Sequence, residues 1–456
     1  MKKGAGGIVP TLFPIMENAN GIWIASAMTT SDIEMADKYQ NKIPIPLENP
    51  KFRAHLIKLN TEKYDEFYNT FINSLLWFIH HYMWNLAYTP EINEDTHKSW
   101  QSYEYVNQKF AEKIIEEINS SNKEPIVMLQ DIHLQTCPSY IRKNFEEVVL
   151  SQFIHIPWPQ PDYFGILPEY MQKSIIEGLL ANDIIGFHIK KYVKNFLMLC
   201  EKYADEVDFK NNIVHYNGRK INVNNYPISV DILGLKKLAK TDEVLKNEEY
   251  VKKIKDNNFL IYRTERTDLS KNILRGFKAY DLFLRKHPEF QEKVTFFITG
   301  MSTRENVKEY LDYKIKVNDI ITEINKKYSK NGWKPIVSHF NAEYSMVTAA
   351  LKNYDCLLVN SIHDGMNIVP KEGAVLNENN GVLILSETTG AYDELKEYSI
   401  NINALDISKT ADAIYKAVMM EQNERKKRLK GLKEIINQYD VYNWIGEQFN
   451  DIQKLF

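Results

Sequence analysis

The second half of the chain alternates short apolar runs with amphipathic helical stretches, and that alternation leaves few folds open. Residues 259–263, 293–299, 335–338 and 355–359 read as strands, followed by Val382-Leu383-Ile384-Leu385 and Ser399-Ile400-Asn401-Ile402. Helical stretches at 271–286, 304–327 and 344–352 separate them, and residues 409–438 are mostly helical. Apolar strands linked by helices build a parallel sheet with both faces covered. The first half keeps the same rhythm, with a strand at Ile22-Trp23-Ile24-Ala25-Ser26, helical stretches at 64–84 and 106–118, and strands at 125–129 and 148–154. Residues 211–223 alternate polar and apolar around Asn217-Gly218, the pattern of an antiparallel hairpin. A charged helical stretch at 235–255 precedes the strand at Phe259.

With 456 residues the chain is too long for one ordinary core. The expectation is two α/β domains, residues 1–230 and 231–456, each Rossmann-like and facing a central ligand cleft, with the last helix (about 440–456) packing back on the first domain. Composition enters as a filter: 44% hydrophobic and 26% charged residues fit a soluble globular protein, and a net charge of -3 carries no nucleic-acid footprint. No run of about eighteen apolar residues occurs, and Met1 to Gly7 lacks the apolar stretch of a signal peptide. Cys137, Cys200 and Cys356 show no CxxC or Cys/His spacing, so they read as reduced core thiols of a cytoplasmic protein. The histidines form no HExxH or comparable array, and no metal site is expected.

Two clusters sit where an apolar strand gives way to a helix, the place where ligands bind in open α/β sheets. The first runs from Glu265 to Asn272 and the second from His363 to Glu372. Arg266 and Lys271 offer two cations suited to a diphosphate. A lysine opening a helix is unfavourable by itself, because cations prefer the other end, unless an anion binds there. A solvated charged loop is the alternative. Asp364 and Glu372 bracket Gly365 and could accept from vicinal sugar hydroxyls, although caps alone would also explain them. The glycines Gly4, Gly6 and Gly7 could wrap phosphates, but a flexible terminus accounts for them as well. Asp131 and His155 end two strands and are candidates for holding hydroxyls or steering a proton, beside a purely structural role.

Taken together and in order, these segments resemble the trehalose-6-phosphate synthase family, retaining glycosyltransferases of the GT-B fold, over nearly the whole chain. Gly6-Gly7-Ile8-Val9 is similar to the family's glycine-glycine donor loop, and the aromatic segment 64–82 to its acceptor segment. Gln130-Asp131-Ile132-His133-Leu134 resembles its His-Asp-Tyr-His-Leu motif, and Phe153-Ile154-His155-Ile156-Pro157 its Leu-His-Ile-Pro motif. Arg266 through Lys271 matches Arg-Leu-Asp-Tyr-x-Lys-Gly, while Asp364-Gly365-Met366-Asn367 through Glu372 matches Asp-Gly-Met-Asn…Lys-Glu. Leu385-Ser386-Glu387 and Gly390-Ala391 match the segment that follows.

The resemblance implies that Gly6, Gly7, Arg266 and Lys271 hold the donor diphosphate, Glu372 the ribose, and Asp364 with Gly365, Met366 and Asn367 the donor sugar. It places His155 and Asp131 at the reacting centre, with Tyr68, Trp77, Asp131 and Arg304 on the acceptor side. It implies small-molecule substrates, a UDP- or GDP-linked sugar and a sugar phosphate, with glucose 6-phosphate as first guess. No cofactor, nucleic acid or membrane partner is implied, and a homo-oligomer stays open.

Departures from the family pattern are specific. The strand ending in Ser-Asn-Arg that precedes the family's glycine loop has no counterpart, so either the sequence is shortened there or the acceptor site differs. Gln130 replaces a histidine, Asn272 a glycine and His363 an arginine. Trp23-Ile24-Ala25-Ser26, His155-Ile156-Pro157-Trp158-Pro159, Arg266-Thr267-Asp268 with Lys271-Asn272, and Leu385-Ser386-Glu387-Thr388 are similar to the pseudo-glycosyltransferase branch that makes validoxylamine 7'-phosphate. A C–N coupling enzyme of that branch is therefore the rival reading, and a catalytically silent sugar-phosphate-binding regulator is a third.

Overall fold

The structure, a computed structural model, describes residues 8–19, 21–121 and 124–456. The chain divides into two units, Met1–Tyr226 with Gly446–Phe456, and Pro227–Ile445.

The first unit holds β1 (Ile22–Ser26), β2 (Ile43–Ile45) and β3 (Phe52–Ile57), paired in the order β1-β3-β2. Its larger sheet contains β4 (Ile126–Gln130), β5 (Val149–Phe153), β6 (Ile184–Phe187), β7 (Glu206–Asp208), β8 (Ile213–Tyr216) and β9 (Arg219–Asn225), in the order β4-β5-β6-β9-β8-β7. Strands β4, β5, β6 and β9 are parallel neighbours, and β7 and β8 complete the sheet as an antiparallel edge. The hairpin between β8 and β9 turns at Asn217 (φ 50°) and Gly218 (φ 73°), two positive-φ positions that a tight hairpin with native twist requires.

The second unit is one parallel sheet of β10 (Phe259–Arg266), β11 (Val294–Met301), β12 (Ile336–Phe340), β13 (Cys356–Val359), β14 (Val382–Ser386) and β15 (Ile400–Ile402). Their spatial order is β12-β11-β10-β13-β14-β15, so the winding reverses between β10 and β13. That reversal is the topological switch point of a doubly wound fold, where the two outgoing loops part and leave a crevice. The pairing itself shows the opening: β10 meets β13 at Ile261 opposite Cys356 and Tyr262 opposite Leu357, then runs on through Arg263 to Arg266. Helix Ile273–Lys286 buries Ile273, Phe277, Tyr280 and Leu284, one stripe at helical spacing, against Phe296, Ile298 and Val317.

Several element boundaries differ from the sequence reading. The helix expected from residue 271 starts at Ile273. Lys271 instead ends a single 3-10 turn, Leu269–Lys271, because Asn272 adopts a left-handed conformation (φ 60°) that breaks the helical run. The helix expected from 304 starts at Lys308, since Arg304 also has positive φ (52°). The charged stretch 235–255 is two helices, Ile232–Leu238 and Asp242–Lys255, split by an extended Thr241. The aromatic stretch expected at 64–84 is helical from Thr61 to His80, with Glu66–Leu76 wound as a π-helix, and it ends before Tyr82 (φ 56°). Among the described residues no helix is long and apolar enough to cross a membrane, and no group of His, Cys, Asp or Glu is placed to hold a metal ion. Cys137, Cys200 and Cys356 are free and buried.

Candidate active site

At the switch point of the second unit, strand β10 carries two charged residues on a buried stretch, Arg263 and Glu265, spaced so that they share one face. Buried charges must be paired. Arg263 is fully buried and donates to the side-chain oxygen of Asn360, just past β13, and to the carbonyl of Lys271. It thereby fastens the loop after β10 to the loop after β13. Asn272 reinforces the same junction, donating through Nδ2 to the carbonyls of Asn360 at 2.9 Å and Ala404 at 2.7 Å. Asparagine is one of the few side chains that tolerates a left-handed backbone, so it does here what a glycine would do and adds two hydrogen bonds.

These facts give a testable ordering. Asn272→Gly keeps the turn and loses the bonds, at an expected cost of about 1–3 kcal/mol. Asn272→Val loses the bonds and forces a β-branched residue into the left-handed region, which adds about 1–2 kcal/mol. Urea denaturation should rank wild type above Gly above Val, and a Val variant as stable as the Gly variant would show that the turn is not what Asn272 supplies.

Arg263 and Asn272 leave the Lys271 side chain free to point at acids. Its ammonium makes a close ion pair with Asp364 and lies 3.7 Å from Glu265 Oε2. Asn367, itself at φ 61°, donates from Nδ2 to Asp364 Oδ2 at 3.1 Å and to Glu265 Oε1 at 3.2 Å. Ser361 Oγ donates to Asp364 at 3.2 Å. Burial alone pushes the Lys271 ammonium toward its neutral form, but Asp364 and Glu265 reverse that and raise its pKa. Burial raises the Glu265 carboxyl despite Lys271 and Arg263, and the Asp364 charge adds to the rise. The result is one buried cation shared between two acids at the mouth of a parallel sheet.

The second loop is braced from behind. Gly390 N–H donates to Asp364 O at 3.1 Å and Ala391 N–H to Met366 O at 2.8 Å. A Cβ on Gly390 would stand 2.0 Å from Gly365 O, so only glycine lets this segment back the Asp364-Gly365-Met366 turn. Past that turn, Glu372 lies in the first turn of helix Val369–Leu376 and accepts a 2.5 Å hydrogen bond from Tyr344. Burial raises its pKa to about 7; the Tyr344 hydroxyl opposes the rise and the Glu265 charge contributes to it. Arg266 lies 3.9 Å from Asp268, and Arg304 pairs with the same carboxylate at 2.8 Å while donating to the Tyr310 hydroxyl.

In the first unit, Asp131 follows β4 in a conformation (φ 64°, ψ -169°) that glycine alone takes without strain. Its N–H donates to Phe153 O at 2.7 Å, its carbonyl accepts from Gln152 Nε2 at 3.0 Å, and Oδ1 accepts from the His155 N–H at 3.3 Å. His155 Nε2 lies 2.9 Å from Gln130 Oε1. An amide oxygen only accepts, so Nε2 carries the proton. Burial, aided by the neighbouring His188 and only partly opposed by Asp131, pushes the His155 pKa down to about 3. The imidazole is therefore neutral. Tyr68, inside the π-helical segment, stacks on Tyr64 at 5.7 Å and on His133 at 6.0 Å, and His133 Nδ1 lies 4.0 Å from Asp131 Oδ2. Trp77 is buried and stacks on His81 at 4.2 Å.

Of the residues singled out from sequence, Arg266, Lys271, Asp364, Gly365, Met366, Asn367 and Glu372 gather around the switch point, and Arg304 joins Arg266 on Asp268. Asp131, His155 and Tyr68 gather at the ends of β4 and β5. Gly6 and Gly7 lie outside the described residues. Arg263, Glu265, Ser361 and Tyr344 had no role assigned from sequence. For Arg263 and Glu265 a signal existed, since charged residues two apart on an otherwise apolar parallel strand are rare.

The pattern of glycosyltransferase family 20 matches residues 1–454. The chain is 28% identical over 455 residues to the bifunctional trehalose-6-phosphate synthase/phosphatase of Thermoproteus tenax, a match covering 97% of this chain and 60% of that protein. It thus spans three fifths of that relative's length. Against the alpha,alpha-trehalose-phosphate synthase [UDP-forming] of Schizosaccharomyces pombe it is 30% identical over 404 residues, 87% of this chain and 76% of the relative. The fold superposes with a TM-score of 0.87 and 25% identity on an E. coli trehalose-6-phosphate protein solved with UDP-2-fluoro glucose, covering 99% of this chain and 96% of that one. With the sheet order, the switch-point cluster and these similarities in view, the chain belongs to glycosyltransferase family 20, enzymes of the GT-B fold built from two Rossmann-like domains.

Proposed function

We propose that this chain transfers a glucosyl unit from a nucleotide sugar to glucose 6-phosphate with retention, forming trehalose 6-phosphate and a nucleoside diphosphate. The single observation that supports it most is the Lys271 ammonium lodged between Asp364 and Glu265 at the crevice between β10 and β13. A diphosphate placed there meets two cations, Lys271 and Arg266, which once engaged on the phosphates stabilise the charge that develops on the leaving oxygen. Lys271 would turn from Asp364 toward the phosphate, releasing the carboxylate to accept from donor-sugar hydroxyls together with the Gly365 to Asn367 backbone. Glu372 would take the ribose.

In the reaction the bond from the sugar's anomeric carbon to the diphosphate oxygen breaks, and the acceptor hydroxyl oxygen bonds to that carbon on the same face. The hydroxyl proton passes to the departing phosphate oxygen, so no side chain need act as nucleophile. A neutral His155 with its proton on Nε2 suits hydrogen bonding to a sugar hydroxyl better than carrying charge. The names of the relatives support UDP as the leaving group, since the Schizosaccharomyces pombe protein is a UDP-forming synthase.

The test is direct. Purified protein is incubated with UDP-, GDP- or ADP-glucose and glucose 6-phosphate, and products are read by mass spectrometry. A disaccharide phosphate is expected. Nucleotide binding without that product from any donor would overturn the proposal, and a C–N linked product from a nucleotide-linked cyclitol and an aminocyclitol phosphate would put the pseudo-glycosyltransferase reading in its place.

A further inference from the structure

Hydrogen bonds that tie one loop to another need donors, and they do not need a charge. Arg263 makes two such bonds, to the Asn360 side chain and to the Lys271 carbonyl, and both acceptors are neutral. Among the described residues its Nε has no hydrogen-bond partner. The fold nevertheless makes room for a whole guanidinium: a Cβ on Gly276, in helix Ile273–Lys286, would stand 2.8 Å from Arg263 Nη1. Burying a cation costs more than burying a neutral donor that could make the same bonds. The charge therefore calls for a reason beyond the bonds.

That reason lies in the charges that meet at the crevice. Glu265 and Asp364 both draw on the Lys271 ammonium, the first at 3.7 Å and the second in close contact. Were Lys271 their sole cation, a diphosphate would have to take it from two carboxylates at once. Arg263 changes the balance, because it lies two residues from Glu265 on the same face of β10. Burial lowers the Arg263 pKa and raises that of Glu265, and each charge opposes the shift in the other. Glu265 also keeps the Asn367 amide at 3.2 Å.

We propose that Arg263 is a positioning residue for the transfer: it is the fixed counter-charge of Glu265, and it thereby leaves the Lys271 ammonium available to the donor diphosphate. This rests on the assignment of the switch-point crevice as a nucleotide-sugar site. Fully buried, Arg263 acts through Glu265 and Lys271 and not by touching the ligand. With the arginine, two cations face two acids and one cation can leave. Without it, one cation is shared by two acids and is held. A fastener of loops would act through its two bonds alone, so the two roles separate on charge.

The experiment is calorimetric titration of the full chain with UDP, alongside thermal melts, for wild type, Arg263→Met, Arg263→Met/Glu265→Gln and Arg263→Lys. Arg263→Met removes the charge and both bonds, and it should weaken UDP binding by about tenfold, a coupling of ordinary size for charges in one network. Arg263→Met/Glu265→Gln removes the uncompensated acid as well and should bind within about threefold of wild type, although the loops are no better fastened. Arg263→Lys keeps the charge but loses the planar fork, so it should melt lower than wild type and still bind within about threefold. A folded double variant or a folded Arg263→Lys that loses tenfold would overturn the counter-charge role, and this holds even where Arg263→Met alone does not fold. Wild type that binds no UDP would instead overturn the site assignment on which the proposal rests.

Discussion

Lys271→Ala is expected to abolish measurable UDP binding and to lower turnover by about 100- to 1000-fold, the loss seen when one preorganised electrostatic partner of a leaving group is deleted. The same substitution should also destabilise the fold. Lys271 is the buried cation between Asp364 and Glu265, and its removal leaves Asp364 with the Asn367 amide and the Ser361 hydroxyl, and Glu265 with the Asn367 amide and the Arg263 charge. Breaking a buried pair by deleting one partner costs about 3–5 kcal/mol, because the remaining charge is stranded. The two effects can be separated. Lys271→Ala/Glu265→Gln removes one of the stranded acids and should recover part of the stability in a urea melt, while nucleotide affinity stays lost. Full affinity for UDP in Lys271→Ala would remove Lys271 from the donor site, and a double variant no more stable than the single one would show that Glu265 does not sense the lysine.

The second large effect concerns Asp131. A non-glycine residue at φ 64° and ψ -169° stores strain of about 1–3 kcal/mol, retained only where the surroundings fix it. Here the Phe153 carbonyl, the Gln152 amide and the His155 N–H all fix it. Asp131→Gly should relieve the strain and Asp131→Ala should keep it, so the glycine variant should be the more stable by about 1–2 kcal/mol, against the usual ranking of these residues. Both should lose turnover by about 100-fold, the scale on which losing a group that positions the substrate acts. Melts and steady-state rates on the two variants decide it. An alanine variant more stable than the glycine one would mean the backbone is not strained, and near-normal turnover in either would mean the carboxylate is not used.

Much of this site is legible in the sequence. The strand at Phe259 and those at 293–299 and 355–359 were readable because buried parallel strands are apolar on both faces, a local property. The clusters from Glu265 and from His363 were readable because each interrupts such a run with polar residues at a strand end. Boundaries were less legible where a single dihedral decides them. Asn272 and Arg304 break helices through positive φ that neither composition nor periodicity announces. The notion of Lys271 as the opening residue of a helix failed for that reason, and the lysine is held by acids instead of facing a helix dipole.

Arg263, Glu265 and Tyr344 mark the other limit. Each works through a partner distant in sequence: Arg263 through Asn360, Glu265 through Lys271 and Asn367, Tyr344 through Glu372. The sequence by itself determined the doubly wound parallel architecture, the order of the motifs and the residue types at the crevice, because periodicity and strand-end chemistry are written locally. Only the tertiary structure decided which charges neutralise one another and that Tyr344 reaches Glu372. Those outcomes depend on β10 and β13 lying side by side at the switch point, a juxtaposition of segments about a hundred residues apart whose register is set by packing on both faces of the sheet.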